Sequence, residues 1–346
     1  MVRIKDVAEK ANVSTATVSH VINNTGKISK ETQKKVQKVI KELNYQPNRI
    51  AKSLKLKKTN TIGVIVEDIT VFNAPEIIDG INKYADEHGW SIIMTNMRLN
   101  QLYGNKSERD EMCVIHAPKA AQELVNKQVD GILYIGVHAR DMSGIMPKIK
   151  IPIVYTYCYT SEENGCYVNY NDEQTAYNAT KYLIESGHKK IAIISGLINS
   201  YPSRKRFDGY YKALSDYNLV FNPEYVKTGD WEYESGYTQG KLLLQSKEPP
   251  TAILGMNDLM AAGAMKGCRE LGLAIPDDLS VMGIDDREMS FFLNPSLTTM
   301  KIPLTQMGRL SMVILDKLVK GEKVEKPDLL GCKLVVRESV GPPPSN

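Results

Sequence analysis

The pattern of the sequence changes at about residue 60, and this change limits the folds open to the chain. Before it, short amphipathic helices are predicted; after it, apolar strands alternate with amphipathic helices. Two successive series of strand–helix units require two doubly wound parallel sheets with helices on both faces. We therefore predict an α/β protein in which a small all-α head precedes a body of two parallel-sheet lobes.

The elements of the body are predicted from these alternating patterns. The strands are 61–66, 91–95, 131–135, 153–157, 190–194, 251–254 and 280–283, and the helices are 75–88, 175–187, 204–217, 234–245 and 258–271.

The head also carries an excess of positive charge. Residues 1–60 contain 14 Lys and Arg against 4 Asp and Glu, whereas the whole chain contains 44 against 40. The rest of the chain is therefore acidic. A basic segment on an acidic body is typical of a module that binds a polyphosphate. A solvated lysine-rich tail would show the same charge, so the arrangement of residues within the head has to decide between the two.

Size, hydropathy and cysteine usage exclude other classes. A chain of 346 residues suits two or three domains. No apolar run approaches the roughly 20 residues that cross a membrane. The N-terminal residues lead into a polar helix, so we expect no signal peptide and a cytoplasmic protein. Five cysteines without a C-x-x-C motif and five scattered histidines predict reduced thiols, no metal site and no cofactor.

Three helices are predicted in the head. The first is Ile4–Ala11, and Ser14 can cap the second, Thr15–Asn23. Ser29 can cap the third. Because only two residues separate the first two helices, they must cross sharply, as in a helix–turn–helix. The third helix places five lysines on its outer face, which are Lys30, Lys34, Lys35, Lys38 and Lys41.

The outer face of the second helix carries short side chains, compatible with a helix in the DNA major groove. His20 could donate to a guanine acceptor, and Ala16 could contact a thymine methyl group. The alternative is an ordinary exposed polar face. The predicted DNA-binding residues of this helix are Thr15, Ala16, Ser19, His20 and Asn23.

A second basic segment follows at residues 45–58. Pro47 suits the first turn of a short helix, and four lysines flank Leu54. By itself the segment is a charged linker. Next to a helix–turn–helix, we interpret it as a hinge helix that folds on DNA. It would insert Leu54 between base steps of the minor groove, beside Lys55.

The head resembles that of the LacI/GalR family of bacterial transcription regulators. The matching stretches are residues 4–11, 13–23 and 45–54, and the stretch Asn12–Asn23 is most similar to the purine repressor. The resemblance implies that Thr15, Ala16 and His20 read bases and that Leu54 and Lys55 contact the minor groove. Arg3 departs from the family, which usually has a capping threonine there.

The body resembles the family's periplasmic-binding-protein-like effector domain along essentially its whole length. The matching motifs include residues 187–191, 206–210, 258–264 and 281–285. The implied domains are a DNA-binding head at 1–46, a hinge at 47–59, an effector-binding domain at 60–340 and a tail at 341–346. The first lobe would comprise about 60–160 and 298–320, and the second about 161–297 and 321–340.

Polar and aromatic residues follow several predicted strands, where parallel sheets bind ligands. Trp231 and Tyr157 would supply stacking faces, and the resemblance places Arg206, Asn257 and Asp285 with Trp231 in the effector pocket. The predicted effector-binding residues are Phe72, Asn73, Asn96, Tyr157, Arg206, Trp231, Asn257 and Asp285.

Several of these residues have structural alternatives. Asn257 could cap a helix, Asp285 could form a turn, and Trp231 could pack between lobes. His188 follows a glycine at a helix end and is interpreted as structural. The effector pocket also departs from the family at Phe72–Ala74 and at Tyr157, and the segment 101–118 is longer than usual. The class of pocket carries over from the family, but the identity of the ligand does not.

These features predict a DNA-binding transcription regulator, a repressor, rather than an enzyme. It would act as a homodimer, or a higher oligomer, on a pseudo-palindromic operator. A small-molecule effector would control it, with a sugar or sugar derivative as the first candidate and a purine as the second. The alternatives are an enzyme on the same body fold, for which no catalytic motif is found, and a transport binding protein.

Overall fold

A computed structural model of the protein describes residues 2–23, 25–45, 58–104 and 107–344. The side chains of residues 23 and 107–110 are outside this description. The chain divides into two compact units, Met1–Thr59 and Asn60–Asn346.

The described residues of the head form three α-helices, as predicted: α1 (Ile4–Ala11), α2 (Thr15–Asn23) and α3 (Lys30–Glu42). Their apolar stripes form one small core, in which Val7, Val18 and Val36 are fully buried. Burial of these stripes stabilises helices that are too short to form alone.

Side chains form hydrogen bonds at the N-termini of α1, α2 and α3. Ser14 Oγ accepts the Thr17 N–H at 3.0 Å, and Ser29 Oγ accepts the Thr32 N–H at 3.2 Å. At α1, the Arg3 N–H donates to Asp6 Oδ2 at 2.8 Å. The Asp6 carboxylate therefore satisfies a backbone donor at the start of α1, where the family's threonine is missing.

The described residues of the body form two sheets, as predicted. All strands of the first are parallel, in the order β2-β1-β3-β4-β5. They are β1 (Thr61–Val66), β2 (Ser91–Asn96), β3 (Gly131–Ile135), β4 (Ile153–Thr156) and β5 (Cys166–Val168).

The second sheet has the order β11-β10-β9-β8-β6-β7, with β11 antiparallel to β10 and the other pairs parallel. Its strands are β6 (Ile191–Ser195), β7 (Val226–Thr228), β8 (Ala252–Gly255), β9 (Ser280–Asp285), β10 (Thr298–Lys301) and β11 (Lys333–Val335).

Helices cover both sheets, and the described residues of the segment 101–118 are largely helical. Those of the first lobe are α4 (Asn73–His88), α5 (Leu99–Tyr103), α6 (Ser107–Asn126) and α12 (Leu304–Val319); those of the second are α7 (Asp172–Glu185), α8 (Tyr201–Asp216), α9 (Tyr233–Leu244), α10 (Asp258–Glu270) and α11 (Met289–Phe292). In the part of the chain that is described, no helix has the length and apolar character needed to span a bilayer.

The strand pairing differs from the predicted lobe boundaries at two places. β5 pairs with β4 in the first sheet, so residues up to Val168 belong with the first lobe. β10 pairs with β9 in the second sheet, so Thr298–Lys301 belong with the second lobe. Both strands are only three or four residues long, and their sequences carry no extended apolar run. The chain returns to the first lobe with α12 and again to the second with β11.

His188 is buried and has a structural role. Its Nδ1 lies 2.9 Å from Thr251 Oγ1, and its Nε2 lies 2.9 Å from the Gly341 carbonyl. These contacts fix the chain after β11 to the second sheet. Burial lowers the pKa of the imidazole, because the charged form would lose its hydration.

We expect His188→Ala to lower the free energy of unfolding by about 1–3 kcal/mol at pH 7, because buried partners lose their hydrogen bonds. A depressed pKa stabilises the native state above the unfolded value of about 6.5, and this contribution is lost as the pH falls. The cost of the substitution should therefore be smaller at pH 5, as measured by urea denaturation of both proteins. An equal loss of free energy of unfolding at pH 5 and pH 7 would contradict a lowered pKa for His188 in the native state.

Candidate functional sites

The helix α2 of the head presents a polar outer face. Thr15, Ala16 and His20 are exposed and Ser19 is half-buried, whereas Val18 on the opposite face is fully buried. The side chain of Asn23 lies outside the described residues. The face available for a groove is thus built from small side chains and one imidazole.

His20 is held by the turn that follows α2. Its Nδ1 lies 3.1 Å from Thr25 Oγ1. Gly26 has a φ of +84°, and a Cβ there would lie 3.2 Å from the same nitrogen. In the tautomer in which Nδ1 accepts from the Thr25 hydroxyl, Nε2 carries the proton and can donate to a base acceptor.

The five predicted lysines of α3 are all exposed. They form a basic surface for phosphates, whose attraction falls with added salt. The predicted minor-groove residues, Leu54 and Lys55, lie outside the described residues.

In the body, Arg206 on α8 lies at the centre of a buried polar network. Its Nε donates to Asp172 Oδ1 at 2.7 Å, one terminal nitrogen donates to Tyr170 Oη at 2.6 Å, and the other donates to the Met256 carbonyl. Asp172 Oδ2 has no partner among the described residues. Burial raises the pKa of Asp172, and the nearby guanidinium opposes this shift.

Trp231 and Asn257 join this network. The Arg206 guanidinium lies 5.4 Å from the Trp231 ring centroid, within cation–π range. Asn257 Nδ2 donates to the Trp231 carbonyl at 2.8 Å, and Asn257 Oδ1 accepts the Met260 N–H at 2.8 Å. Asn257 therefore caps α10, the structural alternative, while it also fixes Trp231.

Phe72, Tyr157 and Asp285 are linked to the same network. Tyr157 lies 5.6 Å from Tyr170 and meets Phe72 edge-on at 6.4 Å, both measured between ring centroids. Arg287 donates from Nε to Asp285 Oδ2 at 3.1 Å, and its guanidinium lies 4.1 Å from the Phe72 ring centroid. Six of the eight predicted residues are thus connected.

Three of these six residues have positive φ angles: +63° at Tyr157, +77° at Trp231 and +129° at Asp285. Such conformations are unfavourable for side chains other than glycine and persist where the surroundings hold them, often at ligand sites. Their coincidence supports a functional role for this cluster.

The other two residues shape loops instead. Asn73 Nδ2 donates to the Gly136 carbonyl at 2.9 Å, and Asn96 Oδ1 accepts the backbone N–H groups of Ile69 and Arg98, each at 3.2 Å. Among the described residues, the hydrogen bonds of these two asparagines go to loop backbone and not to the Arg206 network, so the structure does not bring them to the other six.

A cavity of about 500 Å³ lies beside the network. It shares Tyr170 and Asp172 with the network, but its lining contains none of the eight predicted residues. The remaining walls come from both lobes, with Tyr159 and Tyr167 of the first and Tyr201 of the second. Its volume is within the range of small-molecule sites.

Comparison with known proteins decides the family. The chain matches the lacI family of bacterial regulatory proteins over residues 3–48 and the periplasmic binding protein-like domain over residues 180–340. It is 34% identical over 344 residues to the ribose operon repressor of Haemophilus influenzae and 36% identical over 345 residues to the HTH-type transcriptional repressor PurR of Histophilus somni. Each match covers 98% of this chain and 99% of the relative. The chain belongs to the LacI family of bacterial regulatory proteins.

This LacI-family protein is a DNA-binding transcriptional repressor with an effector-binding domain, as predicted. The names of its relatives describe repressors rather than enzymes, which agrees with the prediction that it is not an enzyme. Its fold is similar to that of the Lac repressor dimer bound to operator and the anti-inducer ONPF, with a TM-score of 0.82, 29% identity and coverage of 98% of this chain and 99% of that chain.

Sequence reasoning missed three residues of the network of this LacI-family repressor: Tyr170, Asp172 and Arg287. Tyr170 and Asp172 follow the short strand β5, which was not predicted, so nothing marked them as strand-end residues. Arg287 lies two residues after Asp285, and the predicted end of β9 could have drawn attention to it.

Proposed function

We propose that this repressor binds a pseudo-palindromic operator as a homodimer and that a small molecule bound between its lobes controls the affinity. The observation that carries the proposal is the small-residue face of α2, set on a compact three-helix core. A fold neighbour, the Lac repressor, is described as a dimer bound to operator and to an anti-inducer, which supports both parts. Two-fold symmetry of the protein would match two-fold symmetry of the DNA.

Within this proposal, residues 1–46 form the DNA-binding domain, 47–59 the hinge and 60–340 the effector domain. Thr15, Ala16 and His20 read base edges, and Leu54 and Lys55 contact the minor groove. Because the protein acts on operator DNA, we propose that it works in the bacterial cytoplasm.

We infer that the effector is a sugar or a sugar derivative. Arg206, Asn257 and Asp285 offer donors and acceptors beside aromatic rings, as sites for hydroxyl-rich molecules do. The name of one relative, the ribose operon repressor, also refers to a sugar. A purine is the second candidate, because the Trp231 face would stack on it and the head stretch Asn12–Asn23 is similar to the purine repressor.

The test of DNA recognition starts from an operator selected from random duplexes with the full chain. We expect His20→Ala to relax the preference at one operator position by about 1–3 kcal/mol, because one base contact is lost. Lys55→Ala should weaken binding to all sequences alike and make it less dependent on salt. Fluorescence anisotropy at several salt concentrations measures both effects.

Two results would contradict these assignments. Equal losses for His20→Ala on every operator variant would remove His20 from base reading. If the full chain selects no operator and binds all duplexes alike, with or without ligands, the regulator proposal itself fails. The effector is sought in parallel by thermal-shift screening against sugars, sugar acids and purines.

A further inference from the structure

Arg287 is anchored firmly in the second lobe. Its backbone N–H donates to Asp258 Oδ2 at 2.8 Å, and its Nε donates to Asp285 Oδ2 at 3.1 Å. Asp258 is the first residue of α10, and Asp285 ends β9. The backbone and the guanidinium group of Arg287 are therefore both held by the second lobe.

The aromatic partner of Arg287 belongs to the first lobe. Phe72 immediately precedes α4, packs against the core beneath the first sheet and meets Tyr157. The 4.1 Å between the guanidinium carbon and the Phe72 ring centroid is well inside cation–π range. This contact thus joins the two lobes directly across the proposed effector site.

The surroundings strengthen the contact. Arg287 forms an ion pair with Asp285 beside this contact. The Arg287 side chain is 22% exposed and that of Asp285 is 3% exposed, so both members of the ion pair have lost much of their hydration. Cation–π contacts gain in strength when they are desolvated. An arginine of similar chemistry, Arg309, lies 5.7 Å from the Tyr84 ring and pairs with Glu87, but those partners are all in the first lobe.

We propose that Arg287 holds the two lobes together across the proposed effector site, through its contact with Phe72. Arg287 is a positioning residue, because it acts on the relative position of the two lobes and not on the ligand itself. Loss of a contact of this kind shifts the ratio of closed to open lobes by about 2- to 30-fold. The contact does not depend on the proposed function.

The test is hydrogen exchange, followed by mass spectrometry, on the full chain without DNA or ligand. Phe72→Leu removes the ring but leaves the pair between Arg287 and Asp285 intact. We expect it to accelerate exchange both near residue 72 and at the hydrogen-bonded amides of residues 287–291, by about 2- to 30-fold. Arg287→Gln should accelerate the same two segments, and the double variant should exchange no faster than the faster single variant.

Matched variants keep the result interpretable. Phe72→Tyr retains a ring and should exchange like the wild type, and Arg309→Gln should change only first-lobe segments. Circular dichroism checks that each variant is folded. The proposal is overturned if Phe72→Leu leaves exchange at 287–291 unchanged, or if the effects of the two single variants multiply in the double variant. Because no ligand or operator is used, this outcome is independent of the test of the proposed function.

Discussion

Arg206→Leu is expected to lower the free energy of unfolding of the effector unit by about 3–5 kcal/mol at pH 8, because it leaves a buried carboxylate unpaired. Arg206 is 3% exposed and satisfies Asp172, Tyr170 and the Met256 carbonyl at once. A leucine fills part of the space but donates to none of them. Urea denaturation followed by circular dichroism measures the loss.

The cost should depend on pH in a definite direction. Burial already raises the pKa of Asp172 in the folded state, and loss of the guanidinium will raise it further. A carboxyl group with a raised pKa favours folding below its unfolded value of about 3.9, and this stability is lost as the pH rises through the folded pKa. The penalty of Arg206→Leu should therefore be smaller at pH 5 than at pH 8.

The double variant Arg206→Leu with Asp172→Leu supplies the control. It removes both charges, so its stability should exceed that of Arg206→Leu alone. Equal stability of the two variants at pH 8 would show that the buried charge is not the cause. In the full chain, both variants should also lose any response to an effector while the separate head still binds DNA.

The sequence predicted well those features that depend on neighbours along the chain. The bounds of α1 and α2 were predicted to the residue, because apolar spacing and the cap at Ser14 are local signals. Long buried strands such as β1 and β3 were equally clear, since each is a continuous apolar run between polar turns.

Features that depend on pairing between distant segments could not be predicted in this way. The short strands β5 and β10 exist because a neighbouring strand supplies hydrogen bonds, and their own sequences give no signal. Asp172 and Tyr170 enter the network because α7, which begins at Asp172, packs against α8. The stacking of Arg287 on Phe72 joins residues more than 200 positions apart, which no periodicity reveals.

Gly308→Ala is the second substitution for which a large effect is expected, because it would force α4 and α12 apart. A Cβ at Gly308 would lie 2.0 Å from the Ile77 carbonyl oxygen, and one at Gly80 would lie 2.0 Å from the Thr305 carbonyl oxygen. Both obstacles are backbone atoms within helices, which cannot move without shifting a whole helix. We expect a loss of about 3 kcal/mol in the free energy of unfolding.

Gly331→Ala is the matched control. A Cβ at Gly331 meets nothing within 4 Å, and its φ lies outside the left-handed range, so the change should stay within about 0.5 kcal/mol. Thermal and urea unfolding of the two variants compare them directly. A neutral Gly308→Ala would mean that the helices can separate without cost. The close approach of α12 to α4 would then not be needed to hold α12 in the first lobe.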